Sequence, residues 1–578
     1  MRKSFTRVLN TFISITVITA ISAGLQGCKN EVKEVSKTAV DSQEKTLKID
    51  VLSMLANYAG EQSGWFGKVV KDKFNIELNI IAPNLQGGDS KYASMMAAGN
   101  LGDIVIFGND DQKYIDAIKS GLLLDWTKDG LLDKYGQDIL RNYPKAVEKN
   151  ETNFGSGKSV FGLGHEIANM PPASPSEGNT MIYGSDLRWD IYEKVGSPRM
   201  KSMEDLLPVL KKMQEVNPKS DSGRPTYGFS MWADWDNNMM MAAKQFACMQ
   251  GYDELGFLLV HANQEKYQDI LDPKGYYLRT LKLYYDANKM GLVDPDSIAQ
   301  KFDDYGNKLM DGQILFDWFP WLDGAYNTPE RVAEGKGMAF VPFSDESVYS
   351  YGFTSYGGNR VIAIGSKAKE PDRVMKFIDW LYTPEGIMTA NYGPKGLAWD
   401  MRDGKPVVTD FGKAALPTND VTVTEQFGGG SFKEGVNQMN FTTVKLTSIN
   451  PDFNEPYDYN LWQSSLNSNP TKLDESWRNA MGAQTQKEYL LKNNMIAVST
   501  ALSISTDTPG SSLQQKQNQI SAVIKEYSWK MVFANSDSEF TSLQKEMIGK
   551  AKSLGYEDVV KFYIGQAQKQ FEARKNAK

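Results

Sequence analysis

Three short segments of the chain mix tryptophan with carboxylates and amides. They are Ser230-Met231-Trp232-Ala233-Asp234-Trp235-Asp236-Asn237-Asn238, Phe316-Asp317-Trp318-Phe319-Pro320-Trp321-Leu322-Asp323 and Tyr392-Gly393-Pro394-Lys395-Gly396-Leu397-Ala398-Trp399-Asp400. A flat indole matches the apolar face of a pyranose ring, while neighbouring Asp and Asn side chains can bind ring hydroxyls. Taken singly, a tryptophan is more often a core residue. The polar, turn-forming company is what singles out Trp232, Asp234, Trp235, Trp318, Trp321 and Trp399 as candidate contacts to a ligand.

Other chemistries fit less well. Nucleophilic catalysis needs a base held beside Ser or Cys, and the chain has two histidines, His165 and His261, each isolated and without a G-x-S-x-G elbow. Gly155-Ser156-Gly157-Lys158-Ser159 imitates a phosphate loop, but Thr152 stands where the first glycine belongs, so the stretch from Phe154 to Gly164 reads as an extended hairpin. The loop Asn217–Gly223 has a faint likeness to a calcium loop. No acid follows Gly223 to close the shell, so it reads as a loop without metal. Two cysteines, Cys28 and Cys248, cannot build a disulfide framework or an ordinary Cys/His zinc site. Cys248, in the apolar run from Ala242 to Met249, reads as a buried thiol. A carboxylate pair for glycoside cleavage stays open, because such pairs meet in space, and Asp234 with Asp236 is the one to name. Their other reading is a polar rim that binds ligand hydroxyls. No cofactor is expected.

The elements that would hold these residues begin with alternation at Leu47, Ile49 and Val51, a strand signal. Trp65, Val69, Val70 and Phe74 follow at helical spacing. Ile76, Leu78 and Ile80 alternate again, Tyr92, Met95 and Met96 share a helical face, and Ile104–Phe107 is a short apolar strand. The order βαβαβ implies a parallel sheet with right-handed crossovers, whose ligands sit at the carboxyl ends of the strands. Those ends are Asn57-Tyr58, Asn84 and Gly108-Asn109-Asp110, which makes Tyr58 and Asn109 candidates. Farther on, Ser202–Asp205 resembles a capping box, and Pro208, awkward in the helix that follows, either kinks it or sets its true start. Val374, Phe377, Ile378 and Leu381 form an amphipathic stripe, as do Val560, Tyr563, Ile564, Ala567 and Phe571.

The chain has 578 residues, 41% of them hydrophobic, 23% charged and 11% aromatic, which suits a folded protein of two or more lobes. Residues 1–27 hold Arg2, Lys3 and Arg7 and no acid. Without them, 61 basic residues face 71 acidic ones, a charge of −10 that would be repelled by phosphate backbones. Nucleic acid is therefore not an expected partner. The basic start, a short hydroxyl-interrupted apolar run to Leu25, and Gly27 before Cys28 read as a secretory signal rather than a membrane span. Cys28 sits where the bacterial lipobox carries its lipidated cysteine. Residues 29–46, polar and without apolar period, read as a flexible tether.

Over most of its mature length the sequence resembles the family 1 extracellular solute-binding proteins of bacterial ABC importers, in their long lipoprotein branch. The likeness lies in Gly102-Asp103-Ile104-Val105, Leu187–Gly196, Asn288–Asp296, Asp311-Gly312-Gln313 leading to Trp318 and Trp321, Lys376–Leu381 and Tyr392–Gly396. Each motif is weak and their shared order is strong. The resemblance implies an α/β protein of two lobes in the periplasmic-binding-protein-like manner, with crossover strands as hinge and a ligand cleft between them. The expected partition is 47–162 with 356–408 in the first lobe and 163–355 with 409–578 in the second. It implies a monomer on the outer face of the cytoplasmic membrane, held by the lipid on Cys28. That monomer would pass an oligosaccharide to a permease and its ATPase without itself being an enzyme. Trp232 and Trp235 fall where maltose-binding relatives carry cleft aromatics, and Trp321 follows a proline as their cleft tryptophan does. The full expected site is Trp232, Asp234, Trp235, Trp318 and Trp321 from the second lobe, with Tyr58, Asn109, Tyr356 and Trp399 from the first. The alternatives are a surface glycoside hydrolase and a binder of peptides or other polar solutes.

Overall fold

The computed structural model describes residues 45–418, 420–468, 470–500, 507 and 509–576. The signal segment, Cys28 and nearly all of the tether lie outside these residues. Among the described residues no helix is long and apolar enough to cross a membrane.

The first lobe opens as the alternation predicts. Strand β1 (Leu47–Ser53) buries Leu47, Ile49 and Val51 and leads through the two-residue strand β2 (Gly60–Glu61) into helix α1 (Gly64–Phe74). Strand β3 (Ile76–Ile81) follows, then helix α2 (Gly88–Ala97) and strand β4 (Ile104–Phe107). β1 lies between β3 and β4, parallel to both, with Leu47 opposite Ile76 and Val51 opposite Ile104. The sheet is completed by Val361–Ile364, antiparallel to β4, and by strand β5 (Leu163–Gly164) beyond it. On one face packs the predicted helix Pro371–Leu381, which buries Val374, Phe377, Ile378 and Leu381.

In the second lobe a small antiparallel sheet places Asp186–Arg188 between Phe316–Asp317 and Met338–Phe340. Helices Met241–Cys248, Tyr276–Lys289 and Ser511–Val532 pack around it in one apolar core. Cys248 is buried there, and its thiol is pushed well above the ordinary range by burial and by the nearby Asp253 charge. The stripe of Val560, Tyr563, Ile564, Ala567 and Phe571 closes on Leu258 and Val260. The Ser202–Asp205 capping box is present, and Pro208 falls in the first turn of helix Leu206–Val216, where a missing N–H costs nothing.

Three expectations are corrected. Phe154–Gly164 is no hairpin: a helix runs Pro144–Phe154, and Gly155 turns so tightly that a Cβ there would lie 1.6 Å from the Ser159 carbonyl oxygen. The second lobe does not begin at 163, because β5 is in the first sheet and Ile167 is in the first core. Nor do residues 410–462 belong to the second lobe. Ala415, Phe432, Phe441 and Trp462 are buried in the first core. Trp65 stacks on Phe432 at 5.4 Å and donates to its carbonyl. Among the described residues the chain therefore crosses between lobes three times, near 168–181, 349–361 and 462–473.

Candidate functional site

The first two crossings run beside each other. Ser176 N donates to the Tyr351 carbonyl, Ala168 N donates to that of Thr354, and Pro175 bridges Gly352. Ile167 also bridges Val444, which ties in the segment 442–445. The packing is close enough to require glycine. A Cβ on Gly352 would stand 2.0 Å from the Pro172 carbonyl oxygen, and one on Gly358 would stand 2.1 Å from the His165 ring.

Above this hinge opens a cavity of about 480 Å³. Its first-lobe wall is Glu166, Gly358, Lys445 and Thr447; its floor is Ser176–Thr180 with Tyr351–Thr354; its second-lobe wall is Met181, Ile182 and Trp321. Trp321 is held out by the turn Pro320–Ala325, with the buried Phe319 ring 5.4 Å behind it. It is 50% exposed, and its plane lies within 14° of that of Trp235, itself 39% exposed. Trp235 rests in turn on Phe302 at 4.4 Å. An exposed aromatic shelf thus borders a mainly apolar cavity that also carries Ser and Thr hydroxyls and the Glu166–Lys445 pair.

A second hollow, of about 220 Å³, lies at the carboxyl ends of β1 and β4 and is lined by Met54, Asn84, Gly108 and Asn109 among others. Lys149 links the two regions, with its ammonium 3.5 Å from Asp110 and 3.4 Å from the Gly358 carbonyl oxygen to which it donates. A separate cavity of about 560 Å³ beside Arg574 and Ile496 contains no tryptophan.

Of the expected residues, Trp321 lines the hinge cavity, Trp235 extends its shelf, and Asn109 lines the strand-end hollow. Trp232 and Trp318 are fully buried. Trp232 packs on Tyr305 at 4.3 Å, and Trp318 donates its indole N–H to the Tyr284 hydroxyl. They back the shelf and offer no surface to a ligand. Trp399 is buried in the first lobe against Trp462 and donates to the Gly393 carbonyl. Asp234 is exposed and accepts from Phe302 N, Tyr58 donates to the Glu61 carbonyl, and Tyr356 lies under Lys145. None of these last three lines the hinge cavity.

Sequence reading missed Glu166, Glu177, Thr180, Thr354, Lys445 and Thr447. The one available signal was the Gly- and Pro-punctuated polar stretch from Ser174 to Thr180. The Glu177 carboxylate accepts from Ser350 Oγ at 2.5 Å and Tyr351 N at 2.9 Å, so it fastens one crossing to the next.

Beneath the shelf lie three buried carboxyl groups, Asp186, Asp317 and Asp323. Each has an oxygen with no partner among the described residues. Burial raises Asp186 to about 6 and Asp317 to about 7, and it raises Asp323 well above the carboxylate range with the Asp186 charge adding to the effect. Asp186 and Asp323 face each other, which a shared proton makes tolerable. Asp236 is likewise raised to about 6 by burial, against the Trp529 N–H that it accepts. His261 is lowered to about 4 by burial and by Lys266 and Arg574. Among the described residues no cluster of His, Cys, Asp and Glu is arranged to hold a metal. In the loop Asn217–Gly223, Ser220 and Ser222 donate to Asp311, and Arg331 pairs with Asp221 at 2.7 Å.

The fold is that of several solved proteins. The alginate-binding protein AlgQ2 is similar over 92% of this chain and 100% of its own, at 16% identity and a TM-score of 0.52. The S. pneumoniae ABC-transporter substrate binding protein FusA, in complex with kestose, is similar over 92% and 100% at 16% identity and 0.53. An extracellular solute-binding protein from Bifidobacterium longum subsp. infantis is similar over 93% and 100% at 13% identity and 0.54. In sequence, the chain is 22% identical over 329 residues to Lipoprotein LipO of Bacillus subtilis (strain 168), covering 55% of this chain and 60% of that one. The family model for bacterial extracellular solute-binding protein matches residues 59–388, more than half of the chain. By that match, the protein belongs to the bacterial extracellular solute-binding proteins.

Proposed function

We propose that the protein is a lipid-anchored receptor that captures an oligosaccharide in the hinge cavity and delivers it to an ABC importer on the outer face of the cytoplasmic membrane. The observation that carries this reading is the half-exposed Trp321, aligned with Trp235, on the wall of a cavity between two lobes whose lining sets Ser and Thr hydroxyls within a larger apolar surface. Stacking on a sugar face, hydrogen bonding to its hydroxyls and closure of hinged lobes form one mechanism for drawing a hydrated solute out of water. Support also comes from the solved relatives, one of them an alginate binder and another carrying kestose, and from the lipoprotein relative.

A panel of oligosaccharides read by thermal shift tests it. A binder at a hundredfold excess over Kd gains about 2.7 kcal/mol of stability. A parallel assay for new reducing ends should stay at background, whereas steady release would favour a hydrolase. Anchoring is tested by Cys28→Ala, which should release the protein from membranes. A variant that stays membrane-bound would point to an uncleaved span.

A further inference from the structure

We infer that the cleft is built for an uncharged oligosaccharide and rejects chains bearing carboxylate, sulfate or phosphate groups. This inference rests on the oligosaccharide reading above and adds its chemical class. Recognition of an acidic sugar needs a cation free to meet it, because burying an unpaired anion is costly. The cations that line the two hollows already have anionic partners, as does Lys149 between them. Lys445, the only basic residue lining the hinge cavity, pairs with Glu166 at 3.3 Å. Lys149, between the two hollows, pairs with Asp110 at 3.5 Å. Lys113, at the strand-end hollow, pairs with Asp89 at 2.6 Å.

A further anion, Glu177, faces the cavity, and the one cation beside it among the described residues, Lys487, is bound to the backbone carbonyls of Pro175 and Glu177 and not to its carboxylate. Glu177 lines the floor, is 8% exposed, and is satisfied by a hydroxyl and an N–H rather than by a base. An acidic unit placed there would have to displace Glu166 from Lys445 while lying beside Glu177. Arg360 is exposed and has no ion pair among the described residues, but it lines neither hollow. The rest of the hinge cavity's lining is neutral. Ser176, Thr180, Thr354 and Thr447 carry hydroxyls, and Trp321 and Phe353 carry apolar faces.

The test is calorimetric titration at pH 7 with neutral tetrasaccharides of glucose, mannose and fructose and with acidic ones of galacturonate and mannuronate, each at 50 and 500 mM NaCl. The expected result is binding of a neutral chain about 100-fold tighter than any acidic one, changing less than about twofold with salt. Glu166→Gln, which frees Lys445, should raise the affinity for an acidic probe about tenfold. Acidic chains that bind the unaltered protein as tightly as neutral ones, with affinity falling about tenfold in high salt, would overturn the inference and leave the oligosaccharide reading standing. Binding of neither set, with capture of a peptide from a control panel, would remove the reading itself.

Discussion

At the scale of single residues, the aromatic shelf divides into rings that can touch a ligand and rings that support them. Trp321→Ala should weaken oligosaccharide binding by about 2 kcal/mol, or ~30-fold, because a stacking face is lost. Its melting temperature should hardly move, since half the side chain is already in water. Trp318→Ala should instead cost about 3–5 kcal/mol of stability, for it removes a buried indole and the partner of the Tyr284 hydroxyl. Calorimetric affinity and melting temperature on the two variants separate the roles. The sequence pointed to the right clusters because Trp among Asp, Asn and Pro is unusual company. It could not rank the members. Trp232 and Trp235 are three residues apart in one turn-rich segment, yet Tyr305 and Trp318, from later in the chain, close over the first and leave the second open. The hydroxyl side of the site was illegible for a different reason. Ser and Thr are common everywhere, and only the meeting of the crossings makes Thr180, Thr354 and Thr447 neighbours of one cavity.

At the scale of elements, the small sheet of the second lobe carries Asp186 and Asp317, and the turn that presents Trp321 carries Asp323. Their raised pKa values fix the sign of a pH effect. Between about pH 4 and pH 7 Asp186 and Asp317 keep protons in the folded protein that they release in the unfolded chain, so their contribution to stability falls as pH rises through that window. Each unit of separation is worth about 1.4 kcal/mol. Asp317→Asn keeps the oxygen that accepts from Phe319 N and removes one buried ionisation. Melting temperatures taken from pH 4 to 9 should show a shallower decline for the variant, with the gain largest above pH 7. Identical profiles would mean that Asp317 is ionised throughout. The hinge gives a steric prediction. Gly352→Ala places a methyl against the Pro172 and Ser499 carbonyl oxygens and should lower stability by about 1–3 kcal/mol, as overpacking does, read by denaturant midpoint. The strands themselves were legible where alternation was strict, as at Leu47–Val51. The turn at Gly155 was not, because a tight helix end and a hairpin draw on the same glycines.

At the scale of the whole molecule, the opening βαβαβ unit and the Val374–Leu381 helix were readable from periodicity, and they do form the first lobe. The return of residues 410–462 to that lobe was not. An apolar stripe says that a segment is buried and not which of two cores buries it; Phe432 finds Trp65 across more than 360 residues of chain. Among the described residues the three crossings join the lobes at separate points along the chain, which suits small rotations of intact lobes.

A crystal structure of the protein grown with its tightest-binding oligosaccharide tests the central claim most directly. One sugar ring should lie flat on Trp321, with its hydroxyls toward the Ser176–Thr180 and Tyr351–Thr354 segments and Glu166 still paired to Lys445. A ligand bound away from the hinge cavity, with Trp321 facing only water, would contradict it.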